Sequence, residues 1–453
     1  MENVALVLRA LLNLMTGWLT LLLLWQLLVS LFGYRKNAKT YQDHQPQMRF
    51  LILVPAHNEE VVIGDIIRNL SHMDYPRELY DFYVLADNCT DRTAEVARSL
   101  GAQVLEFHRE SENSPTGKPI ALQKALNALQ GYQEQYDLVM FFDADNLIDR
   151  NLFAEVNSQY VDAQGKADII QCYLGAKNRR GPVAMFYYMS YTITNRFFQF
   201  AKDRMGLNCV VGGTGFAVSA KYLHERGGWT AMSLTEDFEL QVAATCEGRR
   251  ILWNHTVRIY DEKPTSFRAS FRQRVRWAQG HWFVAFRNTR RLFAALWHRH
   301  IGFGEFFSTF LYLYSLTPAV FLVIQAFLRG LLQVFKWAGW ISSKPLAAPF
   351  DWMILELPGI LLFFYCFIFL FYLAEWMDNH IRFDIKTVVP MLCSLLVNTL
   401  VASWAQVVGL VKHRCQSQWV KTDHSMNHFE ELTVRPGDVG LSDMKDSGSS
   451  LDA

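Results

Sequence analysis

Of the 453 residues, 51% are apolar, 14% aromatic and only 19% charged, a balance that excludes disorder and collagen-like repeats and suggests membrane-embedded segments. Forty-four Lys and Arg nearly balance 43 Asp and Glu, so the formal charge of +1 gives no electrostatic case for nucleic acid as a partner. The seven cysteines form no C-x-x-C pair and no Cys/His ligand spacing, which argues against a disulfide scaffold or a zinc site and suits a reducing compartment.

Residues 3–32 are apolar apart from a few polar residues and the single charge Arg9, and are long enough to cross a hydrocarbon layer of roughly 30 Å. Arg35, Lys36 and Lys39 follow this run rather than precede it. That order predicts an uncleaved anchor over 1–40 with the chain continuing on the cytoplasmic side, as in a multi-pass protein of a bacterial plasma membrane.

Residues 50 to about 260 alternate β-rich runs with helical stretches. The runs 50–56, 82–87, 102–107, 138–145 and 168–174 are too apolar for half-exposed strands, the pattern of strands buried on both faces in a parallel sheet covered by helices. The order β-α-β-α-β-α-β predicts an α/β nucleotide-binding domain over 41–278, with its ligand beyond the carboxyl ends of the strands.

From about 279 the chain turns membranous again. Residues 279–302 mix aromatic and basic residues as a helix lying in the headgroup layer would. Spans are expected at 305–328, 353–376 and 387–411, within a membrane region of 303–415. Three spans would put the tail outside, whereas Lys412, His413 and Arg414 favour the inside; a re-entrant or interfacial helix, with Pro390 as a break, or a further segment in 329–345, would resolve the conflict. Residues 416–453 are expected to be a cytoplasmic or disordered tail.

The strand ends carry the chemistry. The first finishes in His57-Asn58-Glu59-Glu60, where Asn58 is expected to cap the next helix. Asp87 ends the second and is suited to accept hydrogens from a nucleotide; Asp91 or Thr90 is a helix cap. Asp143-Ala144-Asp145 ends the fourth. Two carboxylates two apart on a strand share a face and repel, and a divalent cation such as Mg²⁺ or Mn²⁺ would relieve them. Further on, Thr235-Glu236-Asp237 opens an apolar helix, with Asp237 a candidate general base, and Gln273-Arg274-Val275-Arg276-Trp277 precedes the interfacial stretch.

This series resembles that of membrane-bound family 2 glycosyltransferases of the cellulose, chitin, hyaluronan and poly-N-acetylglucosamine synthase type, over roughly residues 50–290. The resemblance implies a GT-A, Rossmann-like nucleotide-sugar domain inserted between transmembrane helices. It implies that His57, Glu59, Asp87, Lys118 and Asp143 bind a UDP-sugar, Asp87 at the uracil and Lys118 at the diphosphate. Asp143 and Asp145 would hold the metal and Asp237 would be the base. Gly213, Thr214, Glu236, Gln273, Arg276 and Trp277 would bind diphosphate and acceptor. The implied activity is inverting hexosyl transfer, of glucose or N-acetylglucosamine, building a β-linked polysaccharide at the membrane. A single transfer to a lipid, as in ceramide glucosyltransferases, is the alternative, and an inactive protein that keeps the fold for assembly is a third reading. One N-terminal anchor stands where several such synthases have two, and Trp419-Val420-Lys421-Thr422-Asp423-His424 resembles their post-membrane segment only loosely. Tyr312, Tyr314, Trp337, Trp340 and Trp404 are either a sugar path or lipid-facing anchors. Glu356 and Glu375, ionisable at membrane depth, face a partner or reach the headgroups.

Overall fold

A computed structural model describes residues 2–36, 39–109, 111, 116–340, 349–380 and 383–416. The 419–424 segment and the tail beyond it lie outside the described residues, as does the Glu356 side chain.

Eight strands form one sheet: β1 (Phe50–Ala56), β2 (Tyr80–Asp87), β3 (Gln103–Phe107), β4 (Leu138–Phe141), β5 (Leu147–Ile148), β6 (Ile169–Ala176), β7 (Phe216–Ser219) and β8 (Ile251–Asp261). Their order is β3-β2-β1-β4-β7-β6-β8-β5. Burial explains why the continuous apolar runs are strands. On β1, Phe50, Ile52 and Val54 enter one core and Leu51 and Leu53 the other, so neither face sees water. The first core packs under the helices Ile63–Ser71 and Leu152–Asp162, the second under Lys118–Ala128 and Glu236–Cys246.

The sheet is mixed rather than parallel throughout. β3, β2, β1 and β4 run parallel, but β7 is antiparallel to both β4 and β6, while β6 runs parallel to β8. Two reversals restore the original direction. The carboxyl ends of β1, β2, β4 and β8 therefore share one edge of the sheet with the amino end of β7.

Among the described residues four helices are long and apolar enough to cross a membrane: Asn3–Tyr34, Thr317–Trp337, Leu362–Asn379 and Ile385–Lys412. The span expected at 305–328 is instead two helices, Phe303–Leu313 and Thr317–Trp337. Pro318 lacks the N–H needed to continue the first, and Thr317 Oγ1 donates to the Tyr314 carbonyl at 2.6 Å to close the break. Nor does a helix begin near 279: Gln273 to Trp277 lie inside one helix, Phe267–Trp297, that runs unbroken through the expected domain boundary.

Contacts between these helices set their directions. The first helix pairs antiparallel with 303–337: the rings of Trp25 and Phe307 are 5.1 Å apart, Trp18 Nε1 donates to Thr317 Oγ1 at 2.7 Å, and Ala5 and Leu12 pack on Leu332. The last helix differs. Near its start Ser394 and Asn398 donate to the Pro182 carbonyl, and at its end Gln279 donates to the Lys412 carbonyl at 3.3 Å. Both ends thus touch helices of the α/β domain, so the helix lies across the domain, with Val389, Leu396, Leu400, Trp404 and Val411 exposed on its outer side.

A buried cluster locks these parts together. Arg196, on a π turn over Asn195–Phe200, pairs with Asp378 and donates to the Gly33 and Arg35 carbonyls at 2.8 and 2.7 Å. His255 of β8 stands 3.1 Å from the same carboxylate. Breaking such a pair strands a buried charge, at about 3–5 kcal/mol. Glu375 is also turned inward, 1% exposed and accepting from Thr192 at 3.0 Å.

Candidate active site

At the shared sheet edge lies a cavity of about 470 Å³. Every residue that the family resemblance assigned to the site lines it: His57 and Glu59 after β1, Asp87 at the tip of β2, Lys118 at the start of the helix Lys118–Ala128, Asp143 and Asp145 after β4, Gly213 and Thr214 before β7, Glu236, Asp237, Gln273, Arg276 and Trp277.

The β1 and β2 ends are tied together. His57 Nδ1 lies 2.6 Å from the Asp87 carbonyl, and Asn58, in the left-handed region at φ 57°, accepts from Thr90 N at 2.7 Å. Asn58 is therefore a loop clasp and not the expected helix cap. Asp91 sits one residue before the N-cap Arg92 and accepts from Thr93 N, the first residue of the helix Thr93–Ser99, at 3.0 Å. Buried Asp87 accepts from Gly117 N at 2.9 Å, and Gly117, at φ 105°, supplies the turn into the helix that carries Lys118.

Lys118 is the hub of the charge network. Its Nζ donates to Asp143 Oδ1 at 2.6 Å and to the Gly213 carbonyl at 2.5 Å, with Glu236 Oε1 at 3.7 Å. Burial by itself would lower its pKa, but Asp143 and Glu236 together outweigh that and raise it. Glu236 is pushed up to about 7 by burial, against the pull of Lys118. Asp237 is likewise raised by burial, while Lys118 and Arg276 draw it down.

Asp143 and Asp145 converge for a reason other than strand alternation. β4 ends at Phe141, and a turn closed by Asn146 N to the Asp143 carbonyl at 3.1 Å carries both. Asp145 Oδ2 accepts from Glu262 N at 2.7 Å, which brings in Asp261, a cavity residue the sequence reading missed. Burial raises the Asp261 carboxyl, Lys263 opposes that at 2.5 Å, and Asp145 adds to it. Among the described residues no group of three His, Cys, Asp or Glu could by itself hold a metal ion. Two or three carboxylates beside an open cavity still suit a hard cation that takes its remaining oxygens from phosphates and water.

Gly213 packs against Asp237. It sits at φ 81°, and a Cβ there would stand 3.1 Å from Asp237 Oδ2. Gly213→Ala is expected to lower kcat about 10-fold by displacing that carboxylate and to destabilise the fold by about 1 kcal/mol; steady-state kinetics and thermal unfolding check the two effects. At the far wall Gln273 accepts from Tyr187 OH at 3.0 Å, and Trp277 meets the Tyr187 ring edge-on at 6.1 Å. Tyr191, His281, Leu316, Ala402 and Gln406, which no motif marked, add to the lining, as does Tyr312 of the aromatics expected to form a sugar path or lipid-facing anchors. Trp337, Trp340 and Trp404 instead point outward, 75%, 55% and 57% exposed.

An acidic pocket at the carboxyl edge of a mixed Rossmann-like sheet defines a GT-A glycosyltransferase. The family described as glycosyltransferase like family 2 matches residues 46–280, more than half the chain, and the chain belongs to that family. It is accordingly a hexosyltransferase acting on nucleotide sugars. A probable glycosyltransferase, YdaM, of Bacillus subtilis (strain 168) is 25% identical over 304 residues, 64% of this chain and 70% of that protein. A beta-monoglucosyldiacylglycerol synthase of Nostoc sp. is 28% identical over 232 residues, 51% of this chain and 48% of the relative, so this chain spans about half that relative's length. Glucomannan 4-beta-mannosyltransferase 7 of Arabidopsis thaliana is 25% identical over 243 residues, 51% of this chain and 42% of that protein. In fold, the mannosyltransferase PcManGT of Pyrobaculum calidifontis, solved with GDP-Man and Mn²⁺, superposes with a TM-score of 0.59 at 16% identity, covering 91% of this chain and all of that one. The family rests on the matched family model, while the narrower cellulose, chitin or hyaluronan synthase type is not what these relatives are named for.

Proposed function

We propose that the chain is an inverting transferase that moves one hexose from a UDP-sugar to a hydroxyl of a membrane lipid. The observation that carries the acceptor class is the cavity wall: Leu316, in the turn just before the helix Thr317–Trp337, and Ala402 and Gln406, from the last helix with its exposed apolar outer face, line the same cavity as Asp145 and Asp237. An acceptor held there has its reacting end among the acids and its tail among apolar helices. The similarity to a glucolipid synthase supports the same choice. A growing β-linked polysaccharide is the second reading, favoured by Trp277, whose ring is suited to stack on a sugar face.

Asp237 takes the proton of the acceptor hydroxyl as that oxygen attacks the anomeric carbon from the face opposite UDP, inverting the configuration. Gly213, without a side chain, leaves room for the carboxylate at that point. Asp87 receives the base, and Lys118 and Arg276 face the diphosphate as its charge grows. Asp145, with Asp143 and Asp261 beside it, would hold Mg²⁺ or Mn²⁺, which supplies further stabilisation of that leaving charge when bound.

Because Asp237 works ionised, turnover is lost as pH falls through its pKa. Arg276 pulls that pKa down, so removing its charge lets the pKa rise. The acid limb of kcat/KM should therefore move to higher pH in Arg276→Met, which a pH–rate profile beside the unsubstituted enzyme checks.

The membrane arrangement follows the helix directions. The first helix, 317–337 and 362–379 cross, whereas 388–412 lies in the interface against the catalytic domain. That puts Lys412, His413 and Arg414 on the cytoplasmic side with the domain and removes the parity conflict. The deciding experiment incubates purified full-length protein in diacylglycerol-containing vesicles with a panel of UDP-sugars and Mg²⁺ or Mn²⁺, measuring UDP release and product size. One sugar on lipid supports the proposal; a ladder of oligomers supports the polysaccharide reading instead.

A further inference from the structure

We infer that Gln416, just beyond the last helix, is a positioning residue for Asp237; the inference rests on the base role proposed above. Asp237 is the second residue of the helix Glu236–Cys246, so its aim is set by the loop 232–235 that leads in. Three successive amides of that loop are held. Met232 N and Ser233 N donate to Glu239 Oε2 at 3.0 and 2.9 Å, an anchor within the same helix. Leu234 N donates to Gln416 Oε1 at 2.9 Å, across 182 residues of chain.

Gln416 is itself fixed. Its Nε2 donates to the His413 carbonyl at 2.6 Å and to the Gln279 carbonyl at 3.3 Å. Gln279 Nε2 donates in return to the carbonyls of Lys412 and Cys415 at 3.3 and 3.4 Å. The two side chains thus bridge the two backbones, Gln416 through both donor and acceptor of its amide and Gln279 through its donor.

Close backbone packing stiffens the link. A Cβ on Gly409 of the last helix would stand 2.9 Å from Gln279 N, and a Cβ on Gly280 would stand 2.8 Å from Thr235 N. The last helix, the helix Phe267–Trp297 and the loop before Asp237 are stacked with only the small side chains of Ala278 and Thr235 between them at these glycines. Layers packed so tightly move together, so a displacement at 409–416 reaches Thr235 and the two acids after it. The segment beyond the last helix is in this way part of what aims the base, although it touches no reacting atom.

The test compares Gln416→Ala with Gln416→Glu in the full chain. Glu keeps the acceptor for Leu234 N and loses the two donor contacts. Gln416→Ala should lower kcat about tenfold with KM for the UDP-sugar and the Kd for UDP unchanged, and Gln416→Glu should recover most of that loss. A merely structural role would lower folded protein and nucleotide binding together. Hydrogen–deuterium exchange of a peptide spanning 230–237 gives a readout independent of any transfer activity: it should rise in Gln416→Ala and stay near the original rate in Gln416→Glu. Unchanged exchange at that peptide, or unchanged kcat, would overturn the inference. Faster exchange with no transfer from any UDP-sugar by the unsubstituted enzyme would uphold the coupling and remove the proposed activity.

Discussion

Asp237→Asn should reduce transfer by about 10³-fold, within the range expected for loss of a positioned general base, while UDP binds as before. The side chain keeps its size against Gly213 and loses only the ability to take a proton. Its partners Lys118 and Arg276 would then face one negative charge fewer, so nucleotide affinity should hold or improve slightly. Isothermal titration with UDP beside single-turnover kinetics separates the two quantities. Turnover near the original rate would remove Asp237 from the base role, and a parallel loss of UDP binding would recast it as a binding residue.

Asp145→Asn should cost about 10²–10³-fold in kcat and abolish the stimulation of turnover by added Mn²⁺. Asn retains an oxygen to accept from Glu262 N, so the β8 end stays in place and the loss reads out charge rather than folding. Asp143 should behave differently, since its carboxylate is already paired with Lys118 at 2.6 Å. A Mn²⁺ titration of activity in both variants distinguishes them; an Asp145→Asn enzyme with an unaltered Mn²⁺ response would leave that residue no part in holding the cation.

Much of this site was legible before any coordinates because its pieces sit where buried strands stop. β1, β2, β4 and β6 announce themselves as apolar runs, and the polar residues that end β1, β2 and β4 line the cavity; β3 is a strand as expected but not one buried on both faces, since Gln103 and Glu106 are exposed. β8 was not legible. Its run Ile251–Asp261 contains Asn254, His255 and Thr256, and its pairing with β6 slips at Cys172/Tyr173, so neither an apolar run nor strict alternation marks it. Asp261 was missed with it. β7 is four residues long and reads as a fragment, which hid the reversal that brings Gly213 to the same edge. The membrane-side wall failed for a different reason. Nothing in the spacing of Ala402 and Gln406 tells a crossing helix from one laid over a domain, because that depends on Pro182, Ala278 and Gln279, far away in the chain.

The pairing of the first helix with Thr317 bears on how the molecule is made. Trp18 and its partner are 299 residues apart, which at ordinary elongation rates is roughly 15 to 60 s of synthesis. For that interval the leading segment is without the helix it packs against, while the domain that follows it is made. Gln406 and Gln416 leave the ribosome later still, so the pocket receives its last wall, and the loop before Asp237 its final anchor, only after the nucleotide half has been synthesised.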